Sequence, residues 1–266
     1  MQDDGVVVLP VHRWTEDDGF SKTTDHVAVE RTLSIAVSGV VVARLQCLPR
    51  DVEDLATGFL LANGLAAARN DIGAIGVSEK GERVDVEVRG MDAETAAGIG
   101  GTMALASGCG KALFAPHVAA RLARAAGATN AFGAAQIQRA VKDLGKRGEV
   151  FESTGAVHAA AAWRGDECVA YCEDLARHNA IDKVAGRVAR AGGDLSGCLL
   201  VSTGRLTAEV VAKGIRLGVW GVASRSAATD RAIMMAAEFD LVLVGFVRGR
   251  RLNVYCGAQR LAEDAS

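Results

Sequence analysis

Over residues 198–247 short apolar runs alternate with segments of helical periodicity, and this alternation restricts the fold more than any other feature of the sequence. Residues 198–202 read as a strand before helix-like 207–217, residues 219–223 as a strand before helix-like 226–239, and residues 241–247 as a closing strand. Strands with no polar face belong in a largely parallel sheet covered by helices on both sides. Residues 252–255 add an antiparallel edge. The N-terminal third differs. Residues 33–37 alternate, Ser38-Gly39 supplies a turn, and 40–45 return as a second strand. Val52, Leu55, Phe59 and Leu60 fall at helical spacing, with Asp51 placed to cap the start and Gly64 beyond the end. Val84, Val86 and Val88 alternate as another strand, whereas the Gly- and Ala-rich residues 96–110 show no period and read as a loop. A helix is expected between about residues 116 and 126. The chain therefore divides into a strand-rich N-terminal subdomain with one helix, residues 1–105, and an α/β subdomain, residues 106–266.

The 266 residues are enough for a real core, and with half of them hydrophobic and only 3 Pro, long disorder is not expected. A formal net charge of -2 gives no electrostatic case for nucleic acid as a partner. The acidic start Met1-Gln2-Asp3-Asp4 is unlike a signal peptide, and the apolar runs fall far short of the roughly 20 residues that span a bilayer. A cytoplasmic protein with no membrane partner is the expectation. Its 6 cysteines contain no CxxC and its 5 His no finger spacing, so no metal site is expected. Cys168 and Cys172 stand on a strand-like segment at a spacing that places them on one face.

Chemistry concentrates in a few places. In Ser107-Gly108-Cys109-Gly110-Lys111 a cysteine lies between glycines, where packing partners are few and another molecule can approach the sulfur. Lys111 and the following helix N-terminus favour thiolate over thiol. An ordinary loop cysteine is the competing reading. His158, in a run of alanines, is either a titratable site group or a core histidine satisfied by one hydrogen bond, and taken alone the second is commoner. Helical spacing over 173–183 would put Asp174, His178 and Asp182 on one face with Arg177 and Lys183 adjacent, lining a site or forming a solvated charged face. Phe246, Val247, Arg248, Gly249, Arg250 and Arg251 suit phosphate contacts and base stacking, or make an exposed basic turn.

These segments together resemble the FdhD family of formate dehydrogenase accessory proteins along nearly the whole chain. The resemblance rests on Ser107-Gly108-Cys109-Gly110, on Phe151 through Thr154-Gly155 to His158, and on Glu173-Asp174 with Arg177-His178-Asn179-Ala180 and Asp182-Lys183. It continues through Thr203-Gly204-Arg205, Glu209 and Lys213, then through Leu243-Val244-Gly245-Phe246-Val247-Arg248-Gly249 and Asn253-Val254-Tyr255. It implies a cytidine-deaminase-like mixed sheet covered by helices, assembled as a homodimer. It implies a sulfurtransferase-type carrier that takes persulfide sulfur from a cysteine desulfurase and passes it to the molybdenum bis(molybdopterin guanine dinucleotide) cofactor of formate dehydrogenase, held as cargo. Cys109 matches the persulfide cysteine, and Phe246, Val247, Arg248, Gly249, Arg250 and Arg251 match the segment that holds the cofactor. His158, Arg177, His178, Asp182 and Lys183 are candidate site lining.

The sequence departs from the family at some of these places. Ala112 stands where many members carry a second cysteine, so the loop offers no second thiol for a relay. Ala176 replaces the glycine before the Arg-His pair, and Ala228-Thr229 replaces a Pro-Thr. Zinc deamination is ruled out by pattern, because His158 is followed by Ala159 and Ala160 and there is no PCxxC. The alternative to sulfur transfer is a chaperone that binds the molybdenum cofactor without moving sulfur.

Overall fold

A computed structural model describes residues 5–104 and 132–263. Cys109 with its loop, Lys111, Ala112 and the helix expected near residues 116–126 lie outside the described residues.

The chain opens with a hairpin of β1 (Val6–Thr15) and β2 (Gly19–Ala28), which the sequence reading did not single out. A four-stranded sheet follows in the order β4-β3-β6-β5. Its strands are β3 (Arg31–Val37), β4 (Val40–Cys47), β5 (Ile72–Val77) and β6 (Arg83–Val88). The expected turn joins β3 to β4, with Ser38 and Gly39 both at positive φ. Helix α1 (Val52–Ala62) buries Leu55, Phe59 and Leu60 against Leu33, Ile35, Val84 and Val86 of this sheet.

Asp51 sits at the N-cap of α1, but in a left-handed conformation that makes no side-chain cap bond. Its carboxylate instead pairs with Arg187 at 2.7 Å. Residues 96–104, expected as loop, are helical in α2 (Ala93–Ala104). Alanine is the best helix former, and Asp92 starts the helix by accepting from the Thr95 N–H at 2.9 Å. A helix with so little apolar contrast around its axis gives no period to read.

The second sheet has six strands in the order β12-β11-β10-β9-β7-β8. They are β7 (His158–Arg164), β8 (Glu167–Asp174), β9 (Leu199–Ser202), β10 (Gly221–Ser224), β11 (Val242–Arg248) and β12 (Arg251–Cys256). Only β9, β10 and β11 are mutually parallel, so the sheet is mixed. Helices α5 (Arg177–Arg190), α6 (Ala208–Arg216) and α7 (Asp230–Glu238) cover one face. Helix α3 (Ala134–Leu144) covers the other through Ile137, Ala140, Val141 and Leu144. The short α4 (Glu149–Thr154) leads into β7.

Two details differ from the periodicity. Cys168 and Cys172 face opposite sides of the sheet, Cys172 the core under α5 and Cys168 the core under α3. A bulge explains this: Ala162 pairs with Ala170 but Trp163 pairs with Cys168, so Val169 is an extra residue and the alternation inverts. Asp174 ends β8 rather than beginning a helix, since α5 starts only at Arg177.

Candidate functional site

The parallel strands β9, β10 and β11 end at one edge of the six-stranded sheet, the place where open α/β sheets bind ligands. Their following loops are tied together. The Ser224 hydroxyl donates to the Gly204 carbonyl at 2.6 Å, and the Leu206 and Thr229 amides close a backbone bridge between the loops after β9 and β10.

The end of β11 is held in an unusual conformation. Phe246 adopts φ 48° and its amide donates to the Ser226 carbonyl at 2.9 Å. Pairing with β12 slips between Gly245 and Arg248. Gly245 is required there, because a Cβ would lie 2.7 Å from the Tyr255 ring and 3.0 Å from the Ser226 carbonyl. The bulge turns Val247 into the core it shares with Val242 and Val244. Arg248 is doubly fixed: its guanidinium lies 5.4 Å from the Phe246 ring centroid, and its Nε donates to the Arg225 carbonyl at 2.8 Å.

Between this turn and α3 lies a cleft of about 800 Å³. Val247, Arg248, Gly249 and Arg250 line it from the hairpin, Arg225 from the loop after β10, and Gln138, Arg139, Val141 and Lys142 from α3. No carboxylate is among these lining residues. Phe246 and Arg251 belong to the same turn but do not line the cleft, Phe246 acting on it through Arg248. Arg139, Lys142 and Arg225 were not picked out as site residues in the sequence. Charged side chains on the outer face of an amphipathic helix are its ordinary pattern and carry no signal.

A polar network occupies the opposite face, beside α5. His158 begins β7, half-buried, with Nδ1 3.1 Å from the Thr203 hydroxyl. Burial, aided by the Arg177 charge, holds its pKa below the ordinary histidine value. Arg177 packs over Gly204, where a Cβ would come within 2.5 Å of its side chain. His178 is pushed down to about 3 by burial first and then by Lys213, Arg177 and His158. Its Nε2 lies 3.3 Å from the Glu209 carboxylate, yet neither ring nitrogen makes a hydrogen bond with any described residue, and with the imidazole held neutral the contact is not an ion pair at neutral pH. Burial raises Glu209 as well, against Lys213 and Arg177.

Asp182 takes both of its bonds from Lys213 Nζ, each at 2.6 Å, and burial still lifts its pKa to about 6. Lys183 is wholly buried and pairs with Asp174 at 2.6 Å. It also donates to the Leu48 and Glu173 carbonyls, which uses all three ammonium protons. The candidates His158, Arg177, His178 and Asp182 thus come together on one side of the sheet, while Lys183 reaches the N-terminal segment at Leu48.

The five cysteines among the described residues share one property. Burial pushes the thiols of Cys47 and Cys172 up to about 12 and raises those of Cys168, Cys198 and Cys256. None is poised as a thiolate. Among the described residues no group of three or more His, Cys, Asp or Glu could hold a metal ion. No helix among them is long and apolar enough to cross a membrane.

These features define a mixed α/β protein with a basic cleft at the carboxyl ends of its parallel strands. Its sequence matches the model of the FdhD/NarQ family over residues 28–262, and the chain belongs to that family. Among its relatives is a sulfur carrier protein FdhD from Shouchella clausii, 32% identical over 89% of this chain and 90% of its own length. Another from Bacillus subtilis is 30% identical over 99% of this chain and 100% of its own. A crystal structure of a protein from Desulfotalea psychrophila, described as a formate dehydrogenase accessory protein, superposes with a TM-score of 0.75. It covers 96% of this chain and 99% of that one at 24% identity, which speaks for the fold alone.

Proposed function

We propose that the chain is a sulfur carrier that holds a persulfide on Cys109. It would deliver that sulfur to the molybdenum bis(molybdopterin guanine dinucleotide) cofactor destined for formate dehydrogenase. What supports this reading, beside the family, is the state of the other cysteines. Burial keeps all five described thiols protonated, so the glycine-flanked Cys109 is the remaining candidate nucleophile.

In the loading step the Cys109 thiolate attacks the outer sulfur of a desulfurase persulfide. The donor S–S bond breaks, the donor cysteine leaves as thiolate, and the sulfur remains on Cys109 as its persulfide. The step needs no outside oxidant or reductant. The cleft supports this reading: cations without a lining carboxylate would suit a pyrophosphate, and the apolar lining residues Val141 and Val247 would suit a ring system. Val247, Arg248, Gly249 and Arg250 would contact the cofactor, with Phe246 and Arg251 flanking them. In this reading the protein works in the cytoplasm as a homodimer. The exposed apolar residues Trp14 and Phe20, paired at the tip of the β1–β2 hairpin, support an assembly.

Mass spectrometry after incubation with a cysteine desulfurase and cysteine tests both parts. A gain of one sulfur, absent in Cys109→Ala, is expected, and native spectra should show twice the monomer mass. No gain with a competent desulfurase would favour the second reading, a chaperone that binds the cofactor without moving sulfur. Ala112 in place of a second thiol is the observation on its side.

A further inference from the structure

We propose that the carboxyl edge of the six-stranded sheet is a docking surface for the acceptor enzyme, which would present carboxylates to a row of arginines. The row runs from Arg248 and Arg250 through Arg225 to Arg205 and Arg231. This rests on the reading of the cleft as the cofactor site, because an enzyme that receives the cofactor must approach the edge where it is held.

The first ground is a separation of charge between the two edges of one sheet. The loop after β9, residues 203–207, contains Arg205, the loop after β10, residues 225–229, contains Arg225, and the β11–β12 turn contains Arg250. None of the three contains a carboxylate, and Asp230 adjoins the second at the start of α7. At the opposite edge the signs are exchanged. The β7–β8 turn and the loops leading into β9 and β11 contain Asp166, Asp194 and Asp240 and no arginine or lysine. The chain as a whole carries a net charge of -2, so the cationic edge does not follow from a basic composition.

The second ground is that these cations are not neutralised within the fold. The aspartates of the opposite edge have partners: Asp166 lies 3.1 Å from Arg139, Asp194 3.9 Å from Arg164 and Asp240 3.6 Å from Arg260. Arg205, Arg225, Arg231 and Arg250 are exposed and make no side-chain hydrogen bond or ion pair with any described residue. Arg231 also stands in the first turn of α7, the end where the helix dipole disfavours a cation. Neighbouring strands lie about 4.8 Å apart, so the ends of β9, β10 and β11 spread this charge over about 10 Å of edge. Arg225, Arg248 and Arg250 line the cleft, whereas Arg205 and Arg231 do not, so the row is longer than the cleft it borders. Guanidinium forks match carboxylates bidentately, and like charges along one edge steer an oppositely charged surface onto it.

The test is the rate at which the full chain associates with formate dehydrogenase lacking its molybdenum cofactor, followed over a range of salt concentrations. Arg205→Ala combined with Arg231→Ala should slow association about tenfold at low salt and flatten its salt dependence. The difference should vanish where salt screens the charges. Both side chains are exposed, so their loss does not threaten folding. Arg44→Gln combined with Lys80→Gln removes the same charge from exposed positions of the four-stranded sheet and should leave the rate unchanged. GDP titration of each protein reads the cleft separately. No association by the parent, an unchanged rate in the Arg205 and Arg231 variant, or an equal fall in both variants refutes the docking surface, and with GDP still bound the cofactor reading stands. Displacement of the enzyme by oligouridylate through the same two arginines would assign the edge to nucleic acid and overturn the proposal. If the parent binds no GDP, the cofactor reading of the cleft falls and the docking argument falls with it.

Discussion

His178 shows how much the surroundings of one residue decide. Its ring sits between Lys213, Arg177 and His158, which all disfavour a further positive charge, and burial removes the water that would stabilise one. In the unfolded chain an imidazole takes its proton near pH 6.5, whereas in the folded chain it does so only near 3. Between those values the unfolded state holds more protons, so this residue makes stability fall as pH drops below 6.5. Asp182 acts with the opposite sign, because burial lifts it to about 6 and the folded state holds the extra proton between its unfolded and folded values. Comparing a variant with its parent removes that contribution. His178→Asn should lose about 1–2 kcal/mol less than the parent between pH 6.5 and 5 in urea titrations. Equal losses would mean that the imidazole does not stay neutral in the fold. The sequence could mark His178 as a candidate by its polar neighbours, but not its protonation state. That depends on Lys213 and His158, which are remote in sequence and come together only through the fold.

At the level of elements, the strands and helices that carry strong periodicity were legible, and the deviations within them were not. The β9–β11 repeat reads directly, because each strand is apolar up to its last residue and each helix has one apolar face. The bulge at Val169 inverts the facing of Cys168 relative to Cys172, and no composition signal announces one extra residue. The crossing of α1 over α5 was equally hidden. Gly58 and Gly186 sit inside helices, where glycine costs helix stability, and the reason appears only in three dimensions. A Cβ at Gly58 would lie 1.7 Å from the Asp182 carbonyl oxygen, and one at Gly186 would lie 1.9 Å from that of Asp54. The two backbones touch. Asp54 then reaches across to Arg187 at 3.1 Å and Arg190 at 2.6 Å. Gly186→Ala must push the helices apart and should cost about 3 kcal/mol, the upper range for overpacking, despite its gain in helix propensity. Thermal or urea unfolding measures this, and a neutral or stabilising result would show that the crossing is looser than described.

For the molecule as a whole, the question is what joins the four-stranded sheet to the six-stranded one. Their cores are distinct, with α1 facing the four-stranded sheet and α5 the six-stranded one. At their junction a small apolar cluster of Leu48, Val150 and Val157 stands beside a buried polar link. Lys183 is buried beneath the chain at Leu48, bonded to Asp174 and to the carbonyls of Leu48 and Glu173. Asp174 in turn accepts from the amides of Leu48 and Ala176 and from Asn179, which also donates to the Gln46 carbonyl. Every strong donor of Lys183 and both oxygens of Asp174 are thereby used, and three of these bonds cross from the α/β part to residues 46–48. A buried pair of this kind adds little over a well-packed apolar replacement, but removing one partner strands the other's charge without water. Lys183→Met should therefore cost about 3–5 kcal/mol, and Asp174→Asn a comparable amount, whereas the double change to Met and Leu should recover part of the loss. Because the bonds to residues 46–48 are lost with Lys183, the single variant should also unfold in separated stages when one probe follows Trp163 and Trp220 and another the N-terminal sheet. Coincident transitions in the variant, with unchanged stability, would show that this polar link is not what joins the two sheets.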